Sequence, residues 1–263
     1  MLNVSIVLYD PNWTQVNNLC DELLRAKCVR RIFLVDNSSE MTYSSEEKEK
    51  ITYLWNKGNN LGYGAAHNIA IRQSVRWNTP LHLVINADVW IQAEDLDLLH
   101  DFMMDHGEVG SLMPKVVYPN GELQYLCKLL PTPWNVFARR FLPMKWTKKS
   151  NDRYELRNMS YDHPMNVPYL SGCFMLLQTA AVLKARLFDE RYFMCPEDID
   201  LTRTIHRDYL TLYYPAVTII HDHAKTSYHS WKKTWVYIVN MCRYFNKWGW
   251  WFDKERRLFN CIK

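Results

Sequence analysis

The stretch Leu81-His82-Leu83-Val84-Ile85-Asn86-Ala87-Asp88 reads as a continuously apolar strand that stops on a polar cluster. Runs of this kind, alternating with amphipathic helical patterns, mark an α/β sheet with parallel strands. Asp88 is followed by Val89-Trp90-Ile91, so its carboxylate either caps the next element or binds a hard divalent ion. Mg²⁺ and Mn²⁺ commonly sit on one or two carboxylates together with substrate phosphates, so a single Asp would suffice beside a diphosphate.

Upstream the same grammar repeats. A strand is expected over residues 4–9, and a helix over 14–27 with Val16, Leu19, Leu23 and Leu24 on one face. A strand over 31–35 ends on Asp36-Asn37-Ser38-Ser39, and a short strand over 51–55 leads to the turn Asn59-Asn60-Leu61-Gly62-Tyr63-Gly64 and a helix over 65–77. Three polar clusters thus fall at the carboxyl ends of strands, where open α/β sheets bind ligands. The turn is neither GxGxxG nor GxxxxGK[ST], which removes the usual dinucleotide and ATP fingerprints. It suits either a plain strand-to-helix connection or close approach of an anionic group to backbone N–H at a helix start.

Downstream, Asn120-Gly121 within residues 116–124 signals a hairpin. Residues 130–162 show no clean period and many Pro, Trp and basic residues, as expected of a long, partly mobile insertion. Residues 169–177 are expected to form one strand containing Gly172, and Gly inside a strand often marks close backbone approach by a ligand. A helix over 179–185 and another over 198–208 follow. Strands over 212–214 and 217–220 then deliver His221-Asp222-His223, either a polar strand end or, with Lys225 and Ser227, a metal or phosphate site.

Between these lies Phe188-Asp189-Glu190-Arg191-Tyr192-Phe193-Met194-Cys195-Pro196-Glu197-Asp198-Ile199-Asp200-Leu201, acidic residues in an aromatic frame. Partial burial raises a carboxylate's proton affinity toward the range useful to a general base. The same residues also suit a helix start, with Pro196 and Glu197 in the first turn and Asp198 and Asp200 favoured by the macrodipole.

Taken in order, Val35-Asp36-Asn37-Ser38, the segment from Asn60 to Asn68, Asn86-Ala87-Asp88-Val89, Pro119-Asn120-Gly121-Glu122-Leu123-Gln124, Ser171-Gly172-Cys173-Phe174-Met175 and the acidic stretch resemble the family 2 glycosyltransferases of the GT-A fold. More narrowly, they resemble the bacterial rhamnosyltransferase-like enzymes of O-antigen and capsule assembly, and the resemblance covers nearly the whole chain. It implies an α/β, Rossmann-like, mixed but mostly parallel sheet flanked by helices. Residues 1–229 would be the GT-A domain, with a nucleotide-sugar half over about 1–90 and an acceptor half over about 91–229. Residues 230–263 would form an amphipathic helical tail.

The resemblance also implies roles. Asp36 would contact the donor nucleotide beside Leu8 and Tyr9, with Asn60, Gly62 and Asn68 along it. Asp88 matches the last acid of the family's DxD motif and would hold Mg²⁺ or Mn²⁺ against the diphosphate, with Asn86 where the first acid would stand. Asp198 would be the base of an inverting enzyme, with Glu197 the second candidate. His221 is favoured over His223 as a further metal ligand, Lys225 would neutralise diphosphate charge, and Ser171, Gly172 and Cys173 would face the acceptor. The expected donor is dTDP-rhamnose, with UDP-hexoses as the alternative. The expected acceptor is a glycan on a polyprenyl diphosphate.

The chain has 263 residues, 48% hydrophobic and 23% charged, which is the composition of a folded globular protein. Its net charge of +4 is too small to argue for nucleic acid. Seven scattered cysteines without a CxxC pair, no signal-peptide pattern and no run of membrane-spanning length point to a cytoplasmic home. Residues 230–252 mix Trp and Tyr with Lys and Arg. That pattern suits a helix lying on the inner face of the cell membrane, or a terminal helix packed on the domain, or an oligomer contact such as a homodimer. Two further classes compete: a nucleotide-sugar-binding protein without turnover, and a nucleic-acid module using the basic tail, which predicts salt-sensitive DNA or RNA binding.

Overall fold

The computed structural model describes residues 1–41, 43, 49–141, 144–222 and 231–262, so Lys225, His223 and Ser227 lie outside the described residues. The first half runs β1 (Leu2–Leu8), α1 (Trp13–Arg25), β2 (Val29–Asp36), β3 (Ile51–Trp55), α2 (Tyr63–Arg76), β4 (Leu81–Ile85) and β5 (Val89–Trp90). Next come α3 (Ala93–Asp105), β6 (Val109–Val117), β7 (Cys127–Lys128), α4 (Pro133–Phe141), α5 (Met144–Tyr154), β8 (Met165–Asn166), β9 (Tyr169–Leu170) and β10 (Phe174–Gln178). The chain continues with α6 (Thr179–Lys184), α7 (Glu197–Ile205), β11 (Leu210–His221), α8 (Trp231–Trp248) and α9 (Lys254–Phe259).

One sheet organises the molecule, in the order β3-β2-β1-β4-β10-β6-β11-β5, with β8 also on β11. β1 is parallel to β2 and β4, and β2 to β3. β10 inserts antiparallel between β4 and β6, and β11 is parallel to β6. The expected mixed, mostly parallel sheet is therefore present. Because β10 alone runs backwards in the centre, its amino end meets the carboxyl ends of β1, β2, β4, β6 and β11. That edge collects Asp36, Asn86, Asp88, Gly172 and His221.

The core follows from the apolar strands. Val4, Ile6, Leu34, Leu83, Ile85, Leu112, Phe174 and Leu176 are buried together against α1 and α3. On the opposite face Val84, Met175 and Leu177 pack with Ile71 of α2, Val182 of α6 and Leu201 of α7.

Three expectations are corrected. Residues 130–162 are not an irregular insertion but carry α4 and α5. Phe137 of α4 stacks on Trp250 and meets Phe245, and Leu129 N–H donates to the Tyr154 carbonyl at 3.0 Å, so tertiary contacts fasten the segment to the body. The strand expected over 169–177 is broken at residues 171–173 into β9, which pairs with β7, and β10, which joins the main sheet. The two strands expected over 212–220 are a single one, β11, whose pairing with β6 shifts register between Tyr214 and Thr218.

The tail packs on the body. Met241, Tyr244 and Phe245 of α8 are buried with Leu130, Val136, Tyr169, Tyr192 and Ile199. Arg203 of α7, 1% exposed, pairs with Asp253 at 2.7 Å, donates to Glu255, and lies over the Trp248 ring. Asp253 in turn caps α9 by accepting from Arg256 N–H at 2.8 Å. Trp231 and Trp235, on the first turns of α8, remain exposed. Among the described residues no helix is long and apolar enough to cross a membrane.

Candidate active site

Asp198 sits in the first turn of α7, half-buried, with its carboxylate held from three directions. Oδ2 accepts from Gly172 N–H at 3.0 Å and from the Tyr169 hydroxyl at 3.1 Å, and Oδ1 accepts from its neighbour Ile199 N–H at 2.8 Å. Burial raises its pKa, while those donors and the Lys128 ammonium pull it partly back. Glu197 is 5% exposed, and burial followed by the adjacent Asp198 charge pushes its pKa up further. The two environments differ: Asp198 is fixed by donors that favour its anion, whereas Glu197 Oε2 is buried without a hydrogen-bond partner. Asp198 is thus the better candidate for an ionised base, and it serves the helix start as well.

The break at residues 171–173 explains itself here. A Cβ on Gly172 would stand 3.2 Å from Asp198 Cβ, a tight approach that glycine relieves as its N–H meets the carboxylate. The Gly172 carbonyl accepts from the Tyr63 hydroxyl at 2.6 Å, and that hydroxyl also lies 3.1 Å from Asn86 Oδ1. A run of close polar contacts therefore leads from Asp198 through Gly172 and Tyr63 to Asn86, two positions before Asp88. The Tyr63 pKa is raised first by burial and then by the acidic groups near it, Glu197, Asp198 and Asp88 among them. Cys173 itself is 4% exposed, and its carbonyl accepts from Asn86 N–H at 3.0 Å.

Asp88 and His221 meet across the β11 end of the sheet. Asp88 Oδ1 lies 3.4 Å from His221 Nε2; the carboxylate is 30% exposed and the ring 7%. Burial lowers the His221 pKa, but the Asp88 carboxylate and Cys173 raise it to about 10. A carboxylate and an imidazole facing each other at the rim are a donor set that suits a divalent ion with its remaining ligands from a diphosphate. Among the described residues no third His, Cys, Asp or Glu completes a protein cage.

The donor-side residues surround the ends of β1 and β2. Asp36 is fully buried beneath Tyr53, whose hydroxyl donates to Oδ2 at 2.5 Å, while Ser38 N–H donates to Oδ1 at 2.8 Å. Leu8 is buried and Tyr9 is exposed beside it. Tyr53 stacks on Tyr43 at 4.6 Å between ring centroids, and Tyr43 meets Trp13. Asn60 Oδ1 accepts from Gly62 N–H at 3.0 Å, which shapes the turn. Asn68 is buried and its amide brackets the acidic segment: Nδ2 donates to Phe188 O and Glu190 Oε1, both at 2.9 Å, and Oδ1 accepts from Phe188 N–H. The structure thus gives Asn68 a fastening task, with its polar atoms turned away from the cleft.

Asp88, His221 and Asp198 were visible as candidates in the sequence; Tyr63, Tyr169 and Lys128 were not. Each acts across a long sequence separation, such as the 109 residues from Tyr63 to Gly172, and no local pattern announces that.

No family model matches the chain. Over 238 residues it is 25% identical to the N-acetylglucosaminyl-diphospho-decaprenol L-rhamnosyltransferase of two Mycobacterium tuberculosis strains, covering 86% of this chain and 78% of that relative. GalNAc-T7, solved with UDP, GalNAc and Mn²⁺, is similar in fold with a TM-score of 0.64 at 13% identity, over 98% of this chain and 49% of its own. The mannosyltransferase PcManGT of Pyrobaculum calidifontis, solved with GDP-Man and Mn²⁺, gives 0.57 at 14% identity, over 94% and 64%. The chain spans 49% and 64% of these two solved chains, and at such identities the likeness speaks for the fold.

Proposed function

We propose that the chain is a family 2 glycosyltransferase of the GT-A fold, an inverting enzyme moving rhamnose from dTDP-rhamnose onto a polyprenyl diphosphate-linked glycan. The observation that supports this reading most is the run of polar contacts from Asp198 through Gly172 and Tyr63 to Asn86, two residues before Asp88, whose carboxylate lies 3.4 Å from His221 Nε2. The relative whose printed name couples an L-rhamnosyl group to a diphospho-decaprenol sugar supports both substrates. The product would belong to a surface polysaccharide such as O-antigen or capsule.

In this reading residues 1–90 hold the donor. The nucleotide lies over the ends of β1 and β2, near Leu8, Tyr9 and the loop that Asp36 shapes, with Asn60 and Gly62 along it and Asn68 fastening the wall. Asn86 faces the diphosphate, and Lys225, outside the described residues, would neutralise its charge. Residues 91–229 hold the acceptor, with Ser171, Gly172 and Cys173 against its reacting sugar.

Asp198 takes the proton of the acceptor hydroxyl as that oxygen bonds to the anomeric carbon. The bond from that carbon to the diphosphate oxygen breaks on the opposite face, so configuration inverts. The three donors on Asp198 keep its lone pairs directed and its charge stable before reaction, which is pre-organisation of the base. Asp88 and His221 would hold Mn²⁺ or Mg²⁺, which when bound supplies Lewis-acid stabilisation of the leaving diphosphate. Trp231, Trp235 and the cations of residues 230–263 would rest the protein on the inner membrane face, where the lipid-linked acceptor resides.

The test is a panel of sugar nucleotides screened with Mn²⁺ or Mg²⁺ for thermal shift and for transfer. dTDP-rhamnose should give the largest metal-dependent shift, and a UDP-hexose giving a larger one would replace it as donor. Asp198→Asn should keep donor binding and lose transfer by roughly 10²–10⁴-fold. Full transfer by that variant would remove Asp198 as base.

A further inference from the structure

The hairpin segment Pro119-Asn120-Gly121-Glu122-Leu123-Gln124 has no part in the reading above, yet it ends against the candidate metal pair. Gly121 adopts φ +83° and Tyr118 N–H donates to the Glu122 carbonyl at 2.8 Å, turning the chain back beside the end of β6. Gln124 N–H then donates to the Val116 carbonyl at 2.9 Å, next to Val117, which is paired with Ile220 of β11. The turn thereby sets Gln124, 4% exposed, directly against His221.

The contact is two-sided. Gln124 Nε2 donates to the His221 carbonyl at 2.7 Å, and Oε1 lies 3.0 Å from His221 Nδ1. A carbonyl can only accept, so the amide nitrogen must face it and the amide oxygen must face the ring. Nδ1 therefore carries the proton that Oε1 accepts. We propose that Gln124 is a positioning residue for the metal pair, clamping the His221 ring at backbone and Nδ1 so that Nε2 is presented toward Asp88 as a ligand. This rests on the metal assignment under the proposed function. A second partner on the other ring nitrogen is the usual device by which a ligating histidine is oriented, and losing it typically costs 10–100-fold in metal affinity.

The experiment measures Mn²⁺ affinity in the presence of dTDP, by loss of the free-ion paramagnetic resonance signal, for wild type, Gln124→Leu, Gln124→Glu, His221→Ala and the double variant Gln124→Leu/His221→Ala. Gln124→Leu should bind Mn²⁺ roughly 10–100-fold more weakly. Gln124→Glu, which keeps an acceptor for Nδ1 but loses the donor to the His221 carbonyl, should lose less affinity than Gln124→Leu and also covers the case in which the Leu variant does not fold. The double variant should bind as weakly as His221→Ala alone, because the clamp acts only through that ring. Wild-type affinity in Gln124→Leu, additive losses in the double variant, or equal losses in Gln124→Glu and Gln124→Leu would each overturn the proposal. Wild-type protein that binds no Mn²⁺ with dTDP would instead remove the metal assignment itself, and the clamp with it.

Discussion

Asp198 is a carboxylate that burial drives toward the neutral acid and that hydrogen bonds hold toward the anion, so its neighbours tune when it can accept a proton. Tyr169→Phe deletes one donor to the charged form, which raises the pKa further. The acid limb of the pH–rate profile should move to higher pH, with the largest loss of rate at the lowest pH; an unmoved limb would show that Tyr169 does not act on the base. Asp88→Ala should weaken metal-dependent donor binding, and an undiminished Mn²⁺ response in thermal shift would put the ion elsewhere. At this scale the sequence disclosed residue types whose chemistry is intrinsic: acids and a histidine at strand ends or in an aromatic frame. It concealed Tyr63, Tyr169 and Gln124, which matter only through the partners that folding supplies.

Among the elements, the turn before α2 shows how a local signal and a long-range contact coincide. Gly62 has φ +82°, and a Cβ there would collide with the Phe193 carbonyl, the same carbonyl that accepts from Tyr63 N–H at 3.0 Å. Gly62→Ala should therefore cost at least the ~1–3 kcal/mol of a left-handed non-glycine residue. It should also loosen the acidic segment from α2, read as a lower urea midpoint and weaker donor binding. The glycines were legible as a turn, while the partner that demands them, a carbonyl some 130 positions on, was not. The strands β1, β2 and β4 were legible because burial on both faces leaves a largely apolar run. α4 and α5 were not, since they are short and lie in a stretch whose many Pro, Trp and basic residues obscure the pattern; Phe137 of α4 finds its partners Phe245 and Trp250 more than 100 positions on.

For the molecule as a whole, two buried polar systems set the conditions under which it stays folded. The Arg203–Asp253 pair ties the helix of Asp198 to the last helix; Asp253→Ala leaves a buried guanidinium short of its partner, at a cost of ~3–5 kcal/mol seen as a lower unfolding midpoint. Beneath the sheet, Ser5 Oγ lies 2.7 Å from His67 Nδ1 and 2.8 Å from His82 Nε2, and Ser74 Oγ lies 2.7 Å from His82 Nδ1. Burial lowers the His82 pKa from 6.5 to about 3, so the unfolded chain binds a proton there that the folded chain refuses. The stability from this group is complete above pH 6.5 and is lost as pH falls toward about 3. His82→Gln should flatten the pH dependence of the unfolding midpoint across that window, and an unchanged slope would exonerate the histidine. The Tyr63 hydroxyl, which spans from α2 to the Gly172 carbonyl, has a consequence for anyone recombining such enzymes. A chimera that takes residues 1–90 from one parent and the remainder from another inherits a tyrosine and a glycine that never fitted together, so parents should be chosen for a match at those two positions before their sugars are considered.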